Sequence, residues 1–351
     1  MKTQAENVRY ALACRDVTNR APKSSWLLEI QDSVGYVSTR QKHIGHLRCY
    51  LLRMKILISG SHGLVGKALI SALTKDRHEI VSLVRHKSAG TSEIEWHPNQ
   101  GSIDSEHVSG FDLVVHLAGE SIASGRWTDE KKRKIRESRV KGTTLLSEAL
   151  SRSSKRPAAF VSASAIGYYG NRGDELLTEK SVSGNDFLAE VCVAWEKATG
   201  EAEARGIRTI HARFGIILDQ EGGALAKMLT PFRMGVGGRI GDGKQWMSWI
   251  ALADVIEGLK FVIENDSITG PVNFVAPNPV TNGEFTKTLG DALSRPTLFP
   301  MPSFAARLAF GEMADALLLS SQRVKPGVLQ DFAYPTLDSA LRHLLATDKR
   351  G

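Results

Sequence analysis

Met54-Lys-Ile-Leu-Ile-Ser-Gly-Ser-His-Gly-Leu-Val-Gly66 is the stretch on which the reading of the chain turns. Ile56, Leu57 and Ile58 form an unbroken apolar run, as in a parallel strand buried on both faces. Glycines follow at 60, 63 and 66, and Leu64-Val65, Ala68-Leu69-Ile70 and Leu73 continue at helical spacing. Strand, glycine turn and helix together bring a dinucleotide pyrophosphate onto a helix N-terminus. Gly60 permits the tight turn, Gly63 the approach of backbone to phosphate, and Gly66 the close packing of helix on strand. Gly60, Ser61, Gly63, Leu64, Val65 and Gly66 are therefore candidate cofactor contacts. A glycine-rich turn without a ligand is the plain alternative; the flanking strand and helix favour binding.

The next strand, Glu79-Ile-Val-Ser-Leu-Val84, ends on Arg85, where this architecture meets the adenine ribose. An acidic residue there would bond the 2′-hydroxyl of NAD, whereas arginine pairs with the 2′-phosphate of NADP. Arg85 thus predicts NADP. Phe111–Gly119 is a further strand whose tip, Leu117-Ala118-Gly119, is small enough for a cofactor to pass; His116 within it reads as a core residue. Thr128 can cap a helix that opens with Asp129 and Glu130. Pro157 precedes the strand Ala158–Ser164. A helix over 186–205 and a strand over 207–218 follow. This alternation implies right-handed crossovers and a covered parallel sheet.

Residues 219–250 read instead as a long glycine-rich loop around Trp246-Met-Ser-Trp249, whose two indoles either wall a pocket or fill a lid core. A helix over 251–264, a strand at 272–275, a capping box at Thr281–Glu284 and a helical stretch from Phe304 to Leu319 complete the pattern. The expected fold is α/β, a doubly wound parallel sheet of Rossmann type with a smaller C-terminal α/β portion on the substrate side. The expected divisions are a leader over 1–53, a nucleotide-binding part over 54–218, a glycine-rich lid over 219–296 and a small helical domain over 297–345.

Composition narrows the function classes. The 351 residues are 42% hydrophobic and 24% charged, as in an ordinary globular protein. No apolar run approaches the roughly 18 residues of a membrane span. Residues 1–53 hold nine Lys/Arg against four Asp/Glu, so most of the net charge of +7 sits in the leader. That makes the charge weak support for a nucleic-acid partner, which would require a steeply salt-dependent basic arm. The leader reads as a poorly ordered extension, or as sequence ahead of a working start at Met54, rather than a transit peptide. Cys14, Cys49 and Cys192 have no metal-ligand spacing and no disulfide density, so no metal and a reducing, cytoplasmic setting are expected. The expected partner is a small molecule, with no nucleic acid or membrane; the chain leaves room for a homo-oligomer.

With these residues identified, the chain resembles the extended short-chain dehydrogenases/reductases of the NAD-dependent epimerase/dehydratase group. The glycine turn, His116–Gly119, Ser162-Ala-Ser164, Tyr169-Gly170, Thr178-Glu179 and Asp254 carry the likeness. More narrowly it is similar to an atypical subgroup called epimerase family protein, through Leu117–Ile122, Arg126-Trp127, Trp195-Glu196, Pro231–Arg233, the glycines at 235–243 and Gly311–Leu318. The last run lies in a short C-terminal domain of unknown function. The resemblance spans about 54–345. It implies NADP-dependent oxidoreductase or epimerase chemistry on a small carbonyl or nucleotide-sugar-like molecule. It also implies cofactor contacts at Val84, Arg85, Leu117, Ala118 and Gly119, and further ones at Lys134, Arg139 and Ile217.

The dyad of that superfamily is a tyrosine with a lysine four residues on, an ammonium that lowers the phenol's pKa. None of the six tyrosines here has lysine at that spacing, and the aligned helix pair is Val191 and Trp195. Acid–base work would then fall to Ser164, to Ser162, to Tyr168 or Tyr169, or to Glu120. The alternative is a sensor or regulatory module that binds NADP without turning it over.

Overall fold

The computed structural model describes residues 53–86 and 92–346. The leader expected over 1–53 lies, apart from Arg53, outside the described residues, as do Cys14 and Cys49. In chain order the elements are β1 (Lys55–Ser59), α1 (Leu64–Lys75), β2 (Glu79–Val84), β3 (Glu93–Glu95), β4 (Leu113–His116), α2 (Asp129–Arg152) and β5 (Ala159–Ala165). There follow β6 (Leu176–Leu177), α3 (Phe187–Lys197), α4 (Gly200–Ala204), β7 (Arg208–Phe214), β8 (Ile216–Leu218) and α5 (Gly223–Arg233). The remainder is β9 (Trp246–Met247), β10 (Trp249–Ala251), α6 (Leu252–Glu264), β11 (Gly270–Phe274), β12 (Val280–Thr281), α7 (Asn282–Leu293), α8 (Ser303–Phe310), β13 (Arg323–Val324) and α9 (Leu337–Ala346).

Seven strands form one sheet in the order β11-β7-β5-β4-β1-β2-β3, with every neighbouring pair parallel. The winding reverses between β1 and β4, the switch point at which ligands bind such sheets. Leu69 and Leu73 of α1 with Val255, Leu259 and Val262 of α6 cover one face, packed on Ile56, Ile58 and Val161. Leu146, Ala149 and Leu150 of α2 with Ala202 of α4 cover the other, packed on Leu57, Val114 and Phe160. Short two-strand ladders β8–β10, β9–β12 and β6–β13 build a second layer beside the main sheet. There Trp249, Leu225, Leu229, Phe285, Leu289 and Leu341 share a second core. Among the described residues no helix is long and apolar enough to cross a membrane.

Four expectations change, the first being that the helical stretch read from Phe304 to Leu319 breaks at Gly311, φ +62°, into α8 and a π-helical turn over Ala314–Leu318. The helix read over 186–205 is two helices, because the Thr199 hydroxyl donates to the Glu196 carbonyl at 2.7 Å and competes with the ladder just ahead of Gly200. The strand read over 207–218 breaks at Gly215. There a Cβ would lie 2.6 Å from the Ser248 carbonyl oxygen, and the chain leaves β11 to pair with β10. The loop read over 219–250 contains α5, whose Leu225, Leu229 and Phe232 are buried at helical spacing despite Pro231 in its last turn. Thr128, by contrast, caps α2 by accepting from the Lys131 amide at 3.1 Å. Thr281 and Glu284 make the expected capping box on α7.

Candidate functional site

The glycine turn closes on the tip of β4. Gly60 has φ +72°, and a Cβ on it would stand 2.7 Å from the Leu117 carbonyl carbon. A Cβ on Gly66 would strike the Gly60 carbonyl oxygen at 2.2 Å, so both positions admit only glycine. Gly63 caps α1 with backbone alone: no side chain bonds the first-turn amides, and no acidic residue stands there. The N–H groups of Leu64, Val65 and Gly66 are thus left to an anion on the helix axis. Ser61 is buried beside them.

Val84 is buried and Arg85 exposed at the end of β2. Arg85 shares a cleft of about 180 Å³ with His86, Trp96, His97, Pro98, Asn99 and Gln100. Among the described residues no carboxylate lies within ion-pair distance of Arg85. Next to the turn, Leu117 and Ala118 are half-buried and Gly119 is open. Arg139 reaches over from α2 to a Gly119 Cβ position at 3.5 Å, donates to the Glu120 carbonyl at 3.0 Å, and lies on the Trp195 ring at 5.0 Å. Burial pulls its pKa down, against the raising influence of Cys192 and Glu120. Lys134 goes elsewhere, paired with Glu130 at 2.7 Å on the exposed face of α2. Ile217 is half-buried on β8 and packs on the sheet core with Val65.

The catalytic candidates separate clearly. Ser164, at the end of β5, donates to Glu196 Oε1 at 2.7 Å. Glu196 is held in turn by a bidentate pair with Arg213, both N–O distances 2.7 Å, and both side chains are largely buried. Arg213 also donates to the Tyr169 hydroxyl at 3.0 Å, which donates onward to Asn273 Oδ1 at 2.7 Å. Burial would lower the Arg213 pKa, but the bonds and charge of Glu196 raise it further than that. Burial likewise raises the Tyr169 phenol. Tyr169 is wholly enclosed, and its hydroxyl is spent inside the protein. Ser162 is also wholly buried, and its hydroxyl donates to the Ala163 carbonyl at 3.4 Å. Tyr168 differs: its ring is half-buried, lies 3.5 Å from the Arg213 guanidinium, and its hydroxyl makes no hydrogen bond with a described residue.

Glu120 is tied to Lys131 at 2.6 Å, and that bond holds its carboxyl below the usual range. Val191 and Trp195 are buried against α2, the indole donating to Thr143 Oγ1 at 2.9 Å. His116 is fully buried, and burial lowers its pKa to about 4. Asp254 accepts the Ala333 and Tyr334 amides at 2.7 and 3.1 Å, anchoring a later segment rather than lining the cleft. The Ser164–Glu196–Arg213 chain escaped sequence reading; a lone Trp195-Glu196 after the dyad's place was the available signal. Among the described residues no cluster of His, Cys, Asp and Glu could hold a metal.

A model of the NAD dependent epimerase/dehydratase family matches residues 56–275, and the Domain of unknown function (DUF1731) matches 301–344. An epimerase family protein of Mycobacterium bovis, Mb2239, is 41% identical over 300 residues, covering 84% of this chain and 98% of its own. The chloroplastic SDR39U1 homolog of Arabidopsis thaliana is 36% identical over 305 residues, covering 84% and 87%. The crystal structure of human epimerase family protein SDR39U1 with NADPH superposes with a TM-score of 0.77 at 31% identity, covering 84% of this chain and 99% of that one.

Proposed function

The chain belongs to the NAD dependent epimerase/dehydratase family, and from that premise we propose that it binds NADP(H) and carries out hydride transfer on a small carbonyl or hydroxyl compound. The observation that supports NADP over NAD most is Arg85, exposed at the end of β2 in the cleft at that edge and without an acidic partner among the described residues. A guanidinium free of carboxylates matches a 2′-phosphate, and two hydrogen bonds to it would favour the phosphorylated cofactor. The human relative crystallised with NADPH agrees with this reading.

When bound, the nicotinamide supplies or accepts the hydride. The chain's own residues do the rest. The amides of α1 hold the diphosphate, and Arg85 the 2′-phosphate. Arg139, stacked on the Trp195 that occupies the lysine's place, supplies the cation the dyad would have given. Ser164 commits its proton to Glu196, which Arg213 holds by two hydrogen bonds, so its lone pairs are what it offers a ligand. Tyr168 carries the one phenol of the Tyr168–Tyr169 pair with its proton unspent, which makes it the better proton donor. A cytoplasmic setting belongs to the same proposal and is supported by Cys192, buried and unpaired.

A second reading, NADP binding without turnover, is favoured by how many proton-bearing groups are already engaged. Two titrations decide the first point. NADPH should bind at least about tenfold more tightly than NADH, and Arg85→Ala should erase the difference, as the loss of charge-assisted bonds worth roughly 1.5–3 kcal/mol requires. Equal affinity, or tighter NADH, would end the NADP assignment. NADPH oxidation over a carbonyl panel, lost in Tyr168→Phe, separates the enzyme from the silent binder.

A further inference from the structure

We propose that Lys227 is a latch: its bond to the Ala123 carbonyl shuts residues 120–126 against α5 over the cofactor's diphosphate, and the cofactor enters and leaves when that bond opens. The inference rests on the reading that the glycine turn holds NADP(H).

Beyond Gly119 the chain forms a strap, residues 120–126, braced on α2. Lys131 Nζ donates to Glu120 Oε1 at 2.6 Å and to Ser124 Oγ at 2.7 Å, and Ser138 Oγ accepts the Glu120 amide at 3.0 Å. The buried Trp127 donates its indole N–H back to the Ile122 carbonyl at 2.8 Å, which holds the strap in one shape. At the far end Arg126 donates to the Leu308 carbonyl of α8. Lys132 pairs with Glu312 at 2.8 Å and Met313 packs with Trp127 and Ile135, so this stretch of the C-terminal segment goes with α2. Helix α5 belongs to a different core, with Trp249, Phe285 and Leu341. Lys227 spans the two: from the exposed face of α5 its Nζ donates to the Ala123 carbonyl at 2.6 Å. Among the described residues no carboxylate lies within ion-pair distance of this ammonium, so the strap's backbone is its partner.

The contacts on either side of this bond close a ring that starts and ends at the glycine turn. A Cβ on Gly222 would stand 3.2 Å from Leu64 Cδ1, so α5 begins against the first residue of α1. Leu64 also carries the first of the uncapped amides. On the other side, a Cβ on Gly60 would stand 2.7 Å from the Leu117 carbonyl carbon, three residues ahead of the strap. The ring therefore runs through Gly60, Leu64, Gly222, Lys227, Ala123 and Leu117. Its other joints are covalent chain or close packing, whereas Lys227–Ala123 is one solvent-exposed hydrogen bond. A diphosphate on the α1 amides lies inside the ring, and the exposed bond is the joint that opens at least cost. Closures of this kind govern how fast a bound molecule leaves.

The test compares wild type, Lys227→Met and Lys227→Arg in the full chain. Lys227 is exposed, so neither change disturbs a core. Protein loaded with NADPH is mixed rapidly with excess NADP, and release is followed by NADPH fluorescence. Loss of one hydrogen bond from a charged donor predicts release about tenfold faster in Lys227→Met. Association should quicken by a similar factor, leaving Kd nearly unchanged, and Lys227→Arg, still a donor, should keep wild-type rates. Faster release with unchanged association would mean that Lys227 holds the phosphates itself, and overturns the latch; so would wild-type rates in Lys227→Met. Hydrogen exchange of the amides at 121–126, read by mass spectrometry on cofactor-free protein, should be about tenfold faster in Lys227→Met than in the other two. Equal exchange in all three overturns the latch. Should NADPH fail to bind, the exchange comparison still decides the latch, so the two readings fail separately.

Discussion

At His116 the sheet encloses an imidazole with no acid beside it. Its Nδ1 meets the Ser59 hydroxyl at 2.6 Å, its Nε2 has no partner, and Trp96 stands edge-on at 5.8 Å. Burial holds its pKa at about 4 against an ordinary value of 6.5. The folded state therefore binds fewer protons than the unfolded one between those values, and stability must fall as pH drops from about 6.5 towards 4. At 1.36 kcal/mol per unit, the loss reaches roughly 2–3 kcal/mol by about pH 4.5. Other titrating groups cancel when wild type is compared with His116→Asn. Urea unfolding at about pH 7.5 and 4.5 should show wild type's advantage over the variant shrinking by that amount. An advantage independent of pH would mean that burial leaves the ring's pKa unshifted. The sequence placed His116 on a core strand and declined it as a base, since an apolar strand leaves a histidine no acid to pair with.

Helix α3 is locked to strand β7 by the Glu196–Arg213 pair, and here local pattern stopped being informative. The strand-turn-helix at 54–75 was legible because adjacent residues dictate it: an apolar run, glycines at fixed offsets, then helical spacing. Capping at Thr128 and Thr281 was legible for the same reason. The polar chain at the site was not, because Arg213 meets Glu196 across 17 positions and Tyr169 across 44. No period links such partners; only sheet order brings β5, β7 and β11 side by side. For a buried pair of this kind, removing one member strands the other's charge, at about 3–5 kcal/mol. Arg213→Met should cost that much in denaturant unfolding, whereas Arg213→Met with Glu196→Leu should recover at least half of it. Additive losses would show that the pair is not coupled and that Ser164 owes its orientation to something else.

Across the molecule, the segment after residue 296 is bound into what precedes it by bonds that neither part could satisfy alone. Asp254 accepts the Ala333 and Tyr334 amides, Glu179 accepts the Gly327 amide at 3.0 Å, and Ser248 accepts the Val324 amide at 2.8 Å. Leu337, Leu341 and Leu345 of α9 enter the same core as Trp249, Phe285 and Leu289. At roughly 1.5–3 kcal/mol for each buried leucine, these three side chains contribute about 5–9 kcal/mol. That is comparable with the entire stability of an ordinary domain, about 5–15 kcal/mol. Residues 53–346 should therefore melt as one unit, with far-ultraviolet dichroism and tryptophan fluorescence giving the same midpoint. A chain stopped after Thr336 loses α9, uncovers Trp249 and Phe285, and should lose the shared transition. Were it to keep its Tm within a few degrees, α9 would be an appendage, and the layer of short ladders would have to stand on β9, β12 and β13 alone.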